Sequence, residues 1–360
     1  MKLYQKLIVK RYIKSFLTIF LALTVFFVGV DVVSSLDSLP KSANLKILYT
    51  INTFIYLVSY TFGLSLIFAM TSTTISLIKE NELVVMYSFG FSKKDVIKPF
   101  IYTITTFIIF FIFMHNFSFF VSAKQVANNI KKYQKVTRYN ANLFLKSKNK
   151  YIYISELNKF KKEGRGIEIF EIKNNTLLKV TKAKRGEFKE DFWLLSNVSI
   201  TTLPTINENN LTKSKLVTTY KKELKTLKGF KPTIMDSLYK GAEGLNISDS
   251  IKAIFLLKDK GVNITAIKAK LYEDIFFPFF SLFFSIILFA KLPIQRRGVN
   301  LSIITTKLYF LSLVSWGVFY IFIKITKNGS IPAEVGILLP LFLLAVYSYY
   351  IYSKRLDKFT

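Results

Sequence analysis

The chain has 360 residues, 51% hydrophobic and 16% aromatic, with 36 Phe and 20 Tyr, more apolar material than one soluble core can bury; it reads as an integral membrane protein. The formal net charge of +29 comes from 51 Lys and Arg against 22 Asp and Glu. In so hydrophobic a chain, lysines interleaved with aromatics belong to membrane interfaces rather than to nucleic acid, and the lack of cysteine excludes disulfides and thiolate metal sites.

Five basic residues, Lys2, Lys6, Lys10, Arg11 and Lys14, precede an apolar run from Ser15 to Val30 that ends at Asp31. The run is long and no small-x-small cleavage site follows, so it reads as an uncleaved first span. Between Lys46 and Lys79 lie 32 uncharged residues, enough for a tilted second span at roughly 20 residues per crossing. Then comes a polar island, Lys79 to Phe100. Glu80, Asn81 and Glu82 open it, Leu83, Met86 and Tyr87 recur at helical spacing, Gly90 stops that helix, and Ser92 with Asp95 forms a capping-box pattern for the next. The 25 uncharged residues between Lys98 and Lys124 make span three, interrupted only by His115 and Asn116.

Uncharged runs return at Ile275 to Ala290, Leu308 to Ile323 and Val335 to Ser353, completing six spans arranged three plus three. Flanking Lys291, Lys307 and Lys324 can snorkel to lengthen the two shorter runs. Basic residues concentrate at the N-terminus, in the island, after span four (Lys291, Arg296, Arg297) and in the tail (Lys354, Arg355, Lys358). The opposite short loops hold only Lys41 and Lys46, then Lys324 and Lys327. The positive-inside rule therefore expects both termini and the island in the cytoplasm and the long middle segment outside.

The expected division is residues 1–123 for spans one to three, with a cytoplasmic helix at 80–91; 124–268 for an inserted outer domain; and 269–360 for spans four to six. The domain begins helically and continues in short β-rich runs: Tyr151 to Ile154, Ile167 to Ile172, Leu177 to Thr181, Phe192 to Ile200 and Leu216 to Tyr220. That spacing predicts an all-β sandwich or jelly roll. Ser248 and Asp249 are expected to cap a helix over Ile251 to Lys260, closed by Gly261, with another helix from Ile264 feeding span four.

No P-loop motif occurs, so ATP hydrolysis by that route is not expected of this chain. Gly164-Arg165-Gly166 reads as a turn. One histidine and no cysteine leave no zinc cluster and no nucleophilic triad; His115 with Asn116 reads as a polar cap or an inter-helix hydrogen bond. Asp31 marks the end of span one, Glu273 and Asp274 the entrance of span four, and Pro278 and Pro340 are expected kinks. Lys41, Lys324 and Lys327 sit where anchors or contacts to anionic lipid belong.

At Arg11-Tyr12-Ile13, Asn81 to Phe91 (NELVVMYSFGF), Tyr151 to Ile154, Phe192-Trp193-Leu194-Leu195, Ile247 to Gly261, Phe277-Pro278, Ile331-Pro332 and Leu339-Pro340, the chain resembles the lipopolysaccharide-export permeases. These are the paired LptF and LptG subunits of a bacterial ABC-type transporter, and the island is more like the G paralogue. The resemblance implies a non-catalytic inner-membrane permease with a periplasmic β-jellyroll through which lipopolysaccharide passes. It implies as partners a paralogous permease in a heterodimer, a cytoplasmic ABC ATPase dimer that uses ATP and magnesium, and a periplasmic bridge protein with its own β-jellyroll; no cofactor is expected on this chain and no nucleic acid.

The implied coupling residues are Glu80, Glu82, Leu83, Val84, Met86, Tyr87 and Gly90, with Glu82, Leu83, Met86 and Tyr87 as the contacts. Lipid or gate candidates, on gates formed by spans one and five, are Asp31, Lys41, Trp316, Lys324 and Lys327; those for the lipid route in the jellyroll are Tyr153, Ile169 and Trp193. One departure is that no Lys or Arg lies between Lys14 and Lys41, where the G-type subunit can carry a basic residue near the lipid phosphates; Asp31 occupies that region. Two other classes stay open: an ABC membrane protein that signals to a periplasmic partner without moving lipid, and an intramembrane enzyme acting on lipids.

Overall fold

The computed structural model describes residues 2–131, 140–147, 149–158, 161–173, 176–204, 216–235, 242, 244–258, 264–296, 298–354 and 356. The expected helix stop at Gly261, and Arg297, Arg355 and Lys358 of the charge count, lie outside the described residues. The chain divides into two compact units, one of residues 1–132 with 271–360 and the other of residues 133–270.

The first unit is helical: α1 (Leu3–Ser35), α2 (Ala43–Lys79), α3 (Glu82–Ser88), α4 (Lys93–Met114) and α5 (Ser118–Lys131) lie before the second unit. Among the described residues five helices are long and apolar enough to cross a membrane, or six if one bent pair counts as a span. The bent pair runs from Thr265–Ile275 to Phe279–Lys291 with a 49° angle between them. Pro278 stands at the break, where it lacks an N–H for the helical ladder and its ring crowds the preceding turn.

Buried residues of α1, α2, α4 and the Phe279–Lys291 helix form one core, with Tyr12, Phe100 and Phe280 almost fully enclosed. Residues 124–131, placed in the outer domain by the sequence reading, belong to α5. Ala127 and Ile130 of this helix pack with Tyr49 of α2, because its apolar residues fall on one face.

The second unit is a six-stranded antiparallel meander: β1 (Asn140–Ser147), β2 (Lys150–Asn158), β3 (Glu163–Lys173), β4 (Thr176–Lys189), β5 (Phe192–Thr202) and β6 (Val217–Thr226). β1 falls where a helical start is expected from the sequence. Every described strand pairs with its neighbour in sequence, so the described strands show one up-and-down sheet rather than a two-sheet sandwich. One face is apolar, carrying Ile152, Ile154, Ile167, Ile169, Ala183, Leu195, Val198 and Ile200.

A seam crosses all six strands. The register skips Asn142 opposite Ser155, Ser155 opposite Gly166, Gly166 opposite Lys184, Lys184 opposite Asn197 and Asn197 opposite Lys222, yet resumes unchanged on the far side. Asn142, Gly166 and Asn197, on alternate strands, have left-handed φ of 63°, 59° and 54°. Buried positions step by three residues across the seam, as at Ile154 and Leu157 or Leu195 and Val198, instead of the usual two. The apolar face therefore stays continuous while two successive side chains on a strand turn to the polar face. Gly164-Arg165-Gly166, expected as a turn, lies inside β3, and a Cβ on Gly166 would stand 2.2 Å from Ser155 Oγ, so glycine is needed there for close packing and its left-handed φ.

Beyond β6, α6 (Ile247–Leu257) begins at Asn246, whose side chain accepts from the Asp249 amide at 2.6 Å; the cap is Asn246 rather than Ser248. Ala253 and Leu257 of α6 join the core of the sheet's apolar face. α7 (Thr265–Ile275), α8 (Phe279–Lys291), α9 (Leu301–Lys327), a π-turn at Glu334–Leu338 and α10 (Leu339–Lys354) complete the chain. The second proline expected to kink, Pro340, sits within the continuous helix Glu334–Lys354, where the π-turn at Glu334–Leu338 passes into α10, so its missing N–H falls at that change of helical pitch.

Candidate functional site

The island is a short plate fixed to the helical unit. α2 stops because Asn81 adopts a left-handed conformation with φ 58°, and α3 stops at Gly90 with φ 82°. The capping box forms: Ser92 Oγ accepts from the Asp95 amide at 3.2 Å, and Asp95 accepts from the Ser92 amide at 3.1 Å. Arg11 of α1 grips both ends of the α2–α3 corner, with Nη1 2.6 Å from Glu80 Oε2 and Nη2 2.6 Å from Glu82 Oε1. A planar guanidinium with two carboxylates fixes orientation as well as charge. The Ser76 hydroxyl, followed by Arg11, holds the Glu80 carboxyl below its usual range. Phe91 meets the Tyr4 ring at 4.3 Å, and Lys94 reaches the Ser353 carbonyl at 3.4 Å, so both terminal helices brace the plate.

These contacts redistribute the expected coupling residues. Leu83 and Met86, expected to touch a partner, are 2% and 7% exposed and belong to the helical core. Their i, i+3 spacing defines a face, and that face is the one buried against the chain's own helices. Tyr87 is half-buried against the same core, and Glu80 and Glu82 are engaged by Arg11. The outward face consists of Val85 and Phe89, the latter 77% exposed, with Asn81 and Val84 beside them. Asn81, Val84 and Val85 line a pocket of about 520 Å³ with Gln295 and Arg296, which follow α8. Phe89 was missed in the sequence because it falls after the apolar repeat, next to the glycine stop.

The opposite end of α1 lies some 20 residues from Arg11, about 30 Å along a helix. There Asp31 accepts from the Tyr49 hydroxyl, whose oxygen is also 3.2 Å from Ser35 Oγ, and Lys131 Nζ stands 3.8 Å from the carboxylate. A phenol and an ammonium from α2 and α5 thus compensate a carboxylate at the end of an apolar helix.

The last turn of α7, Tyr272-Glu273-Asp274, is held by three separate elements. Glu273 is ion-paired with Lys327 of α9, each side chain 16% exposed. Asp274 lies 3.6 Å from His115 Nε2, both buried, and the Tyr272 hydroxyl is 3.4 Å from Glu334 of the π-turn. His115 Nδ1 is 3.0 Å from the Phe111 carbonyl. With Nδ1 donating there, Nε2 presents a hydrogen to Asp274 only when the ring is protonated. Lys324 lies over the Tyr320 ring at 5.2 Å, and Trp316 stacks on the same ring at 5.3 Å. The gate candidates Trp316, Lys324 and Lys327 therefore come together on α9 beside the break at Pro278, whereas Lys41 is exposed in the connection before α2. Among the described residues no group of three metal-ligating side chains occurs.

In the β unit the three lipid-route candidates do not share a surface. Ile169 pairs with Ile152 on the apolar face, and Tyr153 pairs with Glu168 on the polar face, where its hydroxyl donates to Asn142 at 2.7 Å. Trp193 is fully buried and its indole N–H donates to the Phe230 carbonyl at 2.7 Å.

Long apolar helices joined by a braced polar corner define a multi-pass membrane protein, which also carries a separate sheet unit. Residues 6–354 match the family described as lipopolysaccharide export system permease LptF/LptG, and the chain belongs to that family. A search of curated proteins finds no match.

Proposed function

We propose that this chain is the non-catalytic permease subunit of an ABC-type exporter. It extracts lipopolysaccharide from the bacterial inner membrane and passes it to a periplasmic bridge, driven by a cytoplasmic ATPase dimer that uses ATP and magnesium. The sister subunit is a paralogous permease, and the chain stands closer to the G type. The observation that carries the reading is the Arg11 fork: a corner clamped to α1 and offering Val85 and Phe89 outward converts a push from a partner into movement of the first span.

In this reading six spans are arranged three plus three, α7 and α8 forming the fourth. Both termini lie in the cytoplasm, and the sheet forms a periplasmic jellyroll-type wall; its apolar side, closed here by Phe230, Met235, Ala253 and Leu257 so that Ile169 is 2% exposed, opens to guide acyl chains. Exposing those chains to water costs about 0.8 kcal/mol per CH₂, which calls for both an energy source and an apolar route. The edges of β1 and β6 are where a bridge protein's sheet can continue the meander.

Photoreactive residues at Ile169 and Tyr153, in the complex with partner ATPase and ATP, test the route. Lipopolysaccharide adducts from position 169 but not 153 are expected; absence of adducts from every position on the apolar face overturns it.

A further inference from the structure

The seam has a chemical consequence on the sheet's other face. A pocket of about 630 Å³ lies along it between β3 and β6. The side chains of Ile167, Ala183 and Val198 at this level are buried on the apolar face, so the pocket opens on the polar one. On that face its lining contains Lys182, Lys184 and Lys222 against one acid, Glu168, a net of +2, while Lys221, paired with Val198, points to the other side. Lys182 is already paired with Glu168 at 3.0 Å. Lys184 and Lys222 stand in the seam row itself and are exposed without an ion-pair partner among the described residues. Tyr220, one position from the seam on β6, is 82% exposed and also lines the pocket.

We propose that this seam pocket binds a phosphorylated saccharide, with Lys184 and Lys222 on the phosphate and the Tyr220 ring against a sugar face. Two uncompensated ammonium groups in one concavity match a multiply charged anion, and lysine is a point-charge partner for phosphate. An exposed aromatic ring beside them supplies a flat apolar surface for the C–H face of a pyranose. The proposal rests on the export reading for the source of that saccharide, the polar head of the lipid, and places it on the face away from the acyl route.

The test is binding of deacylated lipopolysaccharide to the full-length protein in nanodiscs, beside its dephosphorylated form and inorganic phosphate. Lys184→Gln with Lys222→Gln is expected to weaken binding at least tenfold, and Tyr220→Ala severalfold, whereas the charge-matched control Lys252→Gln with Lys258→Gln leaves it unchanged. Equal binding by the dephosphorylated saccharide, equal binding by bare phosphate, no binding, or an equal loss in the control overturns the site. Adducts from position 169 without binding here remove this site alone; binding here without adducts removes the acyl route instead.

Discussion

The two units use charge in opposite ways. In the helical unit the pairs that hold the last turn of α7 are enclosed: Glu273 with Lys327 at 16% exposure each, and Asp274 beside His115 at 3% and 5%, while the Arg11 fork is only partly covered. In the sheet unit they are many and wet, as with Lys182 to Glu168 and Arg185 to Glu163, the cations being 58% and 53% exposed. Exposed pairs contribute about 0–1 kcal/mol each, whereas removing one partner of an enclosed pair leaves a buried charge and costs several times more. Membrane helices thus use ion pairs to fix where they meet, and the sheet uses its charges for solubility and, at the seam, for recognition.

Breaking that contrast should be easiest at α7. Lys327→Met removes the cation of the enclosed pair with Glu273 and is expected to destabilise the helical unit by up to about 3–5 kcal/mol. The double variant with Glu273→Leu should recover most of the loss in thermal unfolding followed by tryptophan fluorescence; no recovery would mean that the pair is not what holds the turn. In the sheet, the large term is apolar. Trp193→Ala removes a fully buried ring and its bond to the Phe230 carbonyl, an expected loss of about 3–5 kcal/mol, read by faster hydrogen exchange in β5 and β6.

At the island the effect is on coupling. Phe89→Asp is expected to abolish co-purification with the partner ATPase while leaving membrane insertion intact, whereas Leu83→Ala should loosen the fold first. Retained association in Phe89→Asp would return the outward face to an ordinary loop. The fork also carries a pH signature. Because the Glu80 carboxyl is held below its usual range, its contribution is present above the ordinary carboxylate range and is lost as pH falls through the lowered value. Faster proteolysis at the α2–α3 corner is expected on acidification, and Glu80→Gln should remove that dependence on Glu80. The smallest effect belongs to Lys182→Ala, expected to change stability by under about 1 kcal/mol.

How much of this was legible follows the physics of each signal. Hydropathy marks spans, and alternation marks strands, so the helices and most of the sheet were readable. Ser92 with Asp95 encodes its own cap locally and formed as expected. Leu83 and Met86 show the limit: periodicity states that two residues share a face, and only packing states what that face meets. Tyr153 and Ile169 fail as a pair for a related reason, since two separate strands share a face only once their register is known. The seam was invisible because its left-handed positions at Asn142 and Asn197 are not glycines. Arg11 reads as one more topological cation until the chain folds and brings Glu80 and Glu82 to it.

The aligned seam also limits how the sheet can change length. Because the interruption sits at matching positions on six strands and the register is conserved across it, a one-residue insertion in a single strand would invert half of that strand relative to both neighbours. Tolerated length changes must fall in the turns, or alter all six strands in concert. Chimeras with other members of the family are therefore best joined at strand ends, and a segment exchanged inside β1, β3 or β5 will fit only if it brings its own left-handed residue to the same row.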